Sequence, residues 1–380
     1  MMDIDRATPL LGGLSPAAFM RRHWQKKPLV VRAALVDALP GMNRARLLGL
    51  AARDDVESRL VARDGERWSL RAGPLARRAL PPLAMSWTVL VQGVDLVDDA
   101  AHALLGQFRF VPDARLDDLM LSFATAGGGV GAHVDSYDVF LLQIAGRRRW
   151  GVGRVGAPRL RTDVPLRMLS GFRPTSEHLL DAGDMLYLPP GWGHDGVADG
   201  ECITASVGFR AAASGALARE LLQRLAERDE EARATAGVPA ADDRYRDPDQ
   251  PATRRPAQLP PVLQRFAGAA IERLARDRAL HARALGEVLS EPKPGTWFDR
   301  AARPAPAGSG LRLDRRTRML YDRRHVFVNG EAYRARGRDA TLLRRLADAR
   351  ALDAGAVRGL GAEARRWLDD WHAAGWCRAA

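Results

Sequence analysis

The stretch His133-Val134-Asp135, taken with Gly183-Asp184-Met185-Leu186-Tyr187-Leu188-Pro189-Pro190-Gly191-Trp192-Gly193-His194, decides how this chain is read. Residues two apart in a strand point to one face, so His133 and Asp135 project together while Val134 turns away. A third partner on that face must come from a strand that is near in space and distant in the chain. His194 fits this place. The apolar run Met185 to Leu188 reads as a strand, and Pro189-Pro190-Gly191 halts it and aims a following side chain inward. His-x-Asp alone is a weak pattern; joined to Gly-x5-Pro-x-Gly-x2-His it is much more specific.

Two imidazoles and one carboxylate on one face of a metal leave three positions open, the ligand set of non-heme Fe(II) oxygenases. Structural zinc would want four ligands, usually with thiolate, and neither Cys202 nor Cys377 lies near the group in sequence. With Gly127 added, the two stretches resemble the two motifs of cupin-type β-barrels. A 2-oxoglutarate co-substrate would leave one carboxylate buried, which needs a fixed cation. Arg147-Arg148-Arg149 supplies three candidates. Trp150 and Val152 are apolar and share parity with Arg148, so Arg148 points inward and its two neighbours outward. The alternative is a solvated patch of three arginines. Ser122, on an inward-facing strand position, adds a hydrogen-bond donor.

The same parity places Asp118, Met120 and Ser122 on one strand face, and Tyr137 on the face of His133 and Asp135. A carboxylate, a thioether and a phenol around an open metal position suit a flat cationic side chain. The plainer reading, in which Asp118 and Met120 only line a core, stays open at this point.

Along the chain, Ser15 is an N-cap candidate with Pro16 at the first helical position, for a helix running to about Gln25. Short β runs broken by Gly and Pro follow from about Val56 to Phe209: Leu119 to Phe123, Asp138 to Ile144, Trp150 to Val152, Met185 to Leu188 and Ile203 to Phe209. Beyond Arg210, Gly215 to Ala234 and roughly Val262 to Leu289 are rich in Ala, Leu, Arg and Glu at helical spacing, separated by a Pro/Asp-rich loop from about Asp242 to Pro261. Leu217, Leu221, Leu225, Ile271 and Leu274 form a stripe for packing within the chain or against a second copy. Asn329-Gly330 marks a hairpin after Met319 to Tyr321 and Val326 to Val328, and helices follow at Thr341 to Ala349 and Ala362 to Ala373. The fold class expected is a mainly β core, a double-stranded β-helix of cupin type, with a helical segment and a small α+β winged-helix module. The expected divisions are a catalytic domain over 1–211 with its motif core at 115–211, a helical segment over 212–291, a linker over 292–310 and the small module over 311–380.

At 380 residues two or three domains are expected. Two cysteines far apart give no disulfide framework and fit a reducing compartment. No secretory signal and no membrane-spanning run is read, so a soluble cytoplasmic protein is expected. The net charge of +12 invites a nucleic-acid reading, yet Lys26, Lys27 and Lys293 are the only lysines among 58 basic residues, and the arginines are scattered. That pattern reads as compositional bias, with attraction to ribosomal or nucleic-acid surfaces as the alternative.

His23-Trp24-Gln25-Lys26-Lys27-Pro28, Asp117 to Met120, Gly127 to Asp135, Tyr137 to Phe140, Gly146 to Trp150 and Ser206 to Arg210 together resemble the bacterial JmjC-type ribosomal oxygenases. The resemblance covers nearly the whole chain, with motifs that are specific in the barrel and weak after about residue 215. It implies Fe(II), 2-oxoglutarate and O₂, hydroxylation of an arginine in ribosomal protein L sixteen, a homodimer formed by the helical segment, and a C-terminal winged helix. The family's iron ligands fall on His133, Asp135 and His194. Its co-substrate contacts fall on Arg148 and Ser122, and its substrate pocket on Asp118, Met120, Tyr137 and Ser206. A histidine hydroxylase or methyl-lysine demethylase on the same fold, and a nucleic-acid-binding regulator with a sensor barrel, are the competing readings.

Overall fold

A computed structural model describes residues 3–35, 39–237, 244–252, 254–306 and 308–380, and divides into two compact units, Met1–Ala211 and Ala212–Ala380. In the first unit the described residues form ten strands: β1 (Leu29–Val31), β2 (Ser58–Asp64), β3 (Arg67–Ala72), β4 (Ser86–Val91), β5 (Leu116–Ala124), β6 (His133–Val134), β7 (Val139–Arg154), β8 (Ser176–Leu180), β9 (Met185–Leu188) and β10 (Trp192–Phe209). They pair antiparallel in the order β1-β9-β7-β10-β5-β4-β2-β3, with β6 on β10 and β8 on β7. Three α-helices among the described residues accompany them: α1 (Pro16–Arg22), α2 (Arg44–Ala51) and α3 (Asp99–Gly106).

The strands sort their side chains by parity. Leu119, Leu121 and Phe123 of β5, Phe140 and Leu142 of β7, and Ile203, Ala205, Val207 and Phe209 of β10 join one large apolar core with Phe19, Leu104 and Phe108. The opposite parity carries the inner face, which is polar at Asp118 and Ser122 of β5 and apolar on β7, where Val139 and Leu141 join Trp150, Val152, Leu186 and Leu188 in a second cluster. The N-terminal segment is locked to this core by one buried carboxylate. Asp138, fully buried, accepts from the Tyr187 hydroxyl at 2.6 Å and from Gln25 Nε2 at 3.0 Å, with Arg115 at 3.6 Å. Trp24 stacks on Tyr187 and meets Phe209 edge-on. The His23-to-Pro28 string is therefore an anchor for the barrel wall. Ser15 caps α1 by accepting from Ala18 N–H, but the helix stops at Arg22, earlier than Gln25. Gln25 instead takes a positive φ and donates its N–H to Tyr187 at 2.8 Å.

The runs Asp138 to Ile144 and Trp150 to Val152 are parts of one long strand, β7. Gly146 makes this continuity possible: its φ is 65°, the register against β10 shifts there, and an added Cβ would stand 2.1 Å from the Glu201 carbonyl. Likewise Ile203 to Phe209 is the second half of β10.

In the second unit, α4 (Ser214–Thr235) packs on α6 (Arg278–Ser290) around Glu287, which is 0% exposed. Arg228 at 3.0 Å, Arg283 at 2.8 Å and Arg224 at 3.6 Å surround its carboxylate, so the buried charge is fully matched. The stretch Val262 to Leu289 is two helices, not one. Asp277 (φ −84°, ψ 92°) ends α5 (Pro261–Arg276) and caps α6 through Ala279 and Leu280 N–H. In the loop from Asp242 to Pro261, Asp242, Asp243 and Thr253 lie outside the described residues. Within the apolar stripe, Leu225 is buried while Ile271 is 61% exposed.

The C-terminal module comprises β11 (Leu311–Leu313), β12 (Met319–Tyr321), β13 (Val326–Val328), β14 (Glu331–Tyr333), α7 (Gly337–Ala349), β15 (Ala351–Leu352), α8 (Ala354–Arg358), α9 (Ala362–Ala373) and β16 (Cys377–Ala379). Asn329 and Gly330, both at positive φ, make the two-residue turn between β13 and β14. Leu343, Leu346, Leu368 and Trp371 form this module's own core. Cys202 and Cys377 are both free and buried. Among the described residues, no helix is long and apolar enough to cross a membrane.

Candidate metal centre

The ladder between β6 and β10 sets His133 directly opposite His194, and opposed residues share a face. Their rings lie 4.1 Å apart between centroids. Asp135, just past β6, brings Oδ2 to 3.7 Å from His194 Nε2 and 4.0 Å from His133 Nε2. One ligand atom from each of the three lies within 4.8 Å of the others.

Backbone carbonyls choose the tautomers. A carbonyl oxygen only accepts, so His133 Nδ1 donates to Gly131 O at 2.9 Å and His194 Nδ1 donates to Trp192 O at 3.2 Å. Both Nε2 lone pairs are thereby turned to the common centre. Burial, with His133 alongside, pushes His194 down to about 3, so it stays the neutral imidazole that a metal requires. Burial raises Asp135 against the opposing pull of His133 and a hydrogen bond from Tyr137. A carboxylate held above its usual range beside the neutral His194 is a site short of positive charge, which a divalent cation supplies.

Next along the inner face of β7 stands Arg148, 5% exposed, while Arg147 and Arg149 are exposed and Arg147 pairs with Asp199 at 2.9 Å. Arg148 Nη1 donates to Ser122 Oγ at 3.3 Å, and its Nε and Nη2 are buried with no partner. A buried guanidinium with two idle donors calls for an anion of carboxylate geometry. Its cation lies 5.7 Å from the Trp150 ring, which in turn packs on His194 at 5.8 Å. Trp150 fits only because Gly196 opposes it, where an added Cβ would stand 2.5 Å from the indole. The residues present thus fit both a metal and a dicarboxylate co-substrate.

Asp118 is 3% exposed, and Met120 sits half-buried opposite Ser206 on β10. Tyr137 lies in a bend after β6, outside any strand, and is 39% exposed. It still reaches the centre: burial, Asp135 and Asp118 all raise its hydroxyl above the usual range. Two inner-face residues were not singled out from the sequence. Thr204, opposite Ser122, donates to Gln143 Oε1 at 3.0 Å, and both are buried. Thr204 shares parity with Ser206, so the alternation of that run carries its signal, whereas Gln143 shares parity with the apolar Leu141 and has none.

Comparison with known proteins matches two parts of the chain. Residues 103–217 match the JmjC domain family and residues 273–378 the ROXA-like winged helix. The ribosomal protein uL16 3-hydroxylase of Escherichia coli (strain K12) is 38% identical over 245 residues, 64% of this chain and 62% of that protein. A probable ribosomal oxygenase of Haemophilus influenzae is 35% identical over 201 residues, 52% of this chain and 50% of that one. The chain therefore spans half to somewhat under two thirds of the length of these curated relatives. The solved structure of YcfD, a ribosomal oxygenase from Escherichia coli in complex with cobalt and 2-oxoglutarate, matches with a TM-score of 0.76 and 30% identity, over 96% of this chain and 98% of that one. With that likeness over nearly its whole length, the chain belongs to the JmjC-type ribosomal oxygenases with a ROXA-like winged helix.

Proposed function

We propose that this chain is an Fe(II)- and 2-oxoglutarate-dependent protein hydroxylase that acts on an arginine side chain of ribosomal protein uL16. The observation that carries the reading is the buried guanidinium of Arg148, its Nε and Nη2 without partners, on the same inner face as the His133–Asp135–His194 group. His133, Asp135 and His194 would hold the iron, and Arg148 with Ser122 the far carboxylate of 2-oxoglutarate. Bound iron supplies the oxidative chemistry: with O₂ and 2-oxoglutarate it converts a substrate C–H to C–OH, releasing succinate and CO₂.

The protein's own share is positioning and exclusion. The Nδ1 bonds to Gly131 and Trp192 keep both imidazoles from turning. Trp150, packed between Arg148 and His194, keeps water from the cation. For the substrate, Asp118 and Tyr137 offer a carboxylate for a guanidinium fork and a ring beside it, with Met120 and Ser206 as neighbouring wall. Asp118 disfavours a neutral imidazole. The relatives' names, a uL16 3-hydroxylase and a probable ribosomal oxygenase, support a ribosomal-protein target.

The helical segment 212–291 serves, in this reading, as a homodimer surface, because α5 buries none of its side chains and exposes Leu263, Phe266 and Ile271. The linker over 292–310 then carries the winged helix, and the protein works in the cytoplasm where its ribosomal target is. The test is turnover on uL16 peptides with arginine, lysine or histidine at the target position, read by succinate release and peptide mass. A gain of one oxygen on the arginyl peptide alone is expected. Preference for histidine would move the chain to a histidine hydroxylase, and no turnover on any peptide would favour a nucleic-acid-binding regulator.

A further inference from the structure

The loop after β4 is fastened to β5 at two points. Leu119 N–H donates to Asp95 Oδ1 at 2.9 Å, and the Asp118 carboxylate is gripped from the same loop. Gln92 Nε2 donates to Asp118 Oδ2 at 2.7 Å, and Gly93 N–H donates to the same oxygen at 3.1 Å. Behind Gln92 stands Arg59 of β2, whose Nη2 donates to Gln92 Oε1 at 3.2 Å, while Gln92 N–H donates to Glu57 O at 2.9 Å.

The chemistry of these groups fixes the amide orientation. A guanidinium has no acceptor and a carboxylate no donor, so Oε1 must face Arg59 and Nε2 must face Asp118. The reversed amide would set donor against donor and acceptor against acceptor. We propose that Gln92, oriented by Arg59, is a positioning residue that sets the plane of the Asp118 carboxylate and thereby the preference for arginine over lysine. The proposal rests on the reading above, in which Asp118 receives the substrate guanidinium.

The effect passes through a soft torsion. The terminal torsion of an aspartate is broad, so an unbraced carboxylate turns about its Cβ–Cγ bond at little cost. A fork from arginine needs both carboxylate oxygens in the plane of the guanidinium, whereas a lysine ammonium is a point charge indifferent to that plane. Gln92 and Gly93 both donate to Oδ2, from two directions set by the backbone after β4. Two donors thus fix the place of Oδ2, and Gln92 is the side-chain member of that brace. Losing the brace therefore costs arginine more than lysine.

The test measures peptide affinity by calorimetry on full-length protein carrying Mn(II) and 2-oxoglutarate without O₂, so that no turnover intervenes. Gln92→Met keeps length and removes the donor. It should weaken the arginyl peptide about tenfold, as expected for a charge-assisted bond. The lysyl peptide should weaken much less, and 2-oxoglutarate affinity should hold. Arg59→Met should shift the same ratio in the same direction by less. In an Asp118→Asn background, Gln92→Met should add nothing, because its effect passes through that carboxylate. Equal losses on both peptides and on 2-oxoglutarate would mark a merely structural role and overturn the proposal. So would an unchanged arginyl affinity in Gln92→Met while Asp118→Asn binds weakly. If Asp118→Asn itself binds the arginyl peptide normally, the guanidinium reading of Asp118 falls, and this proposal falls with it.

Discussion

Replacing Arg148 by methionine separates two effects that point in opposite directions. In the ligand-free protein the Arg148 guanidinium is buried with only Nη1 bonded, to Ser122, while Nε and Nη2 lack partners. Each buried unsatisfied group costs about 1–3 kcal/mol, so a methionine in its place relieves a cost and leaves an apolar chain against Trp150. The Mn(II)-loaded variant without 2-oxoglutarate should therefore melt no lower than wild type. One kcal/mol is worth about 2–4 °C in a unit of this size, so a rise of a few degrees is expected.

With 2-oxoglutarate the sign reverses. Loss of one charge-assisted bond to the co-substrate carboxylate, about 1.5–3 kcal/mol, raises its dissociation constant roughly ten- to a hundredfold. At a concentration one hundred times the wild-type constant, the ligand stabilises wild type by about 2.7 kcal/mol, which is roughly 5–10 °C. At the hundredfold limit the variant would gain only about 0.4 kcal/mol, or roughly 1 °C. Differential scanning fluorimetry with and without 2-oxoglutarate reads both numbers, and Arg147→Met and Arg149→Met serve as controls because their side chains are exposed. Equal loss of the ligand shift in all three variants, or a ligand-free Arg148→Met that melts well below wild type, would refute the reasoning.

Three further outcomes are expected. His133→Ala and Asp135→Ala should each abolish oxoglutarate turnover while the far-ultraviolet circular dichroism stays native, since neither side chain belongs to an apolar core; turnover with stoichiometric iron in either variant counts against the ligand assignment. Gly196→Ala places a Cβ 2.5 Å from the Trp150 indole, so Trp150 must move; a stability loss of about 1–3 kcal/mol in urea unfolding is expected, together with weaker 2-oxoglutarate binding through Arg148. If the proposed homodimer forms through α5, wild type should sediment as a dimer and Ile271→Arg, at a 61% exposed position, as a monomer with unchanged turnover of a short peptide; a monomeric wild type or an unchanged dimer in the variant would overturn that assignment.

Local parity accounts for most of what was legible in advance. His133 and Asp135 share a face by spacing, and His194 joins them because a Pro-Pro-Gly turn feeds β10 into the ladder with β6. Arg148 was separated from Arg147 and Arg149 by the company of Trp150 and Val152, and the structure has that same alternation. Parity reached Tyr137 by a weaker route, since the strand has ended there and it is the contact with Asp135 that draws the ring in. From sequence β7 reads only as two runs, Asp138 to Ile144 and Trp150 to Val152, whereas a single left-handed glycine, Gly146, makes a bulge and lets the ladder continue.

Gln92 is of a different kind. Nothing in Val91-Gln92-Gly93 distinguishes a glutamine that braces a carboxylate from one that faces solvent. Its role comes from Arg59 on one side and Asp118 on the other, residues remote in sequence that the order β2-β4-β5 brings together. A buried carboxylate could nonetheless have prompted the search. Asp118 on an inward strand position needs donors as surely as Arg148 needs acceptors, and the hydroxyl of the right parity on β5, Ser122, donates to Thr204 O at 3.4 Å instead. The missing donors had to come from a neighbouring strand end. An inward-facing charge read from sequence thus predicts a second residue whose identity the sequence withholds, and at Asp118 that residue is Gln92.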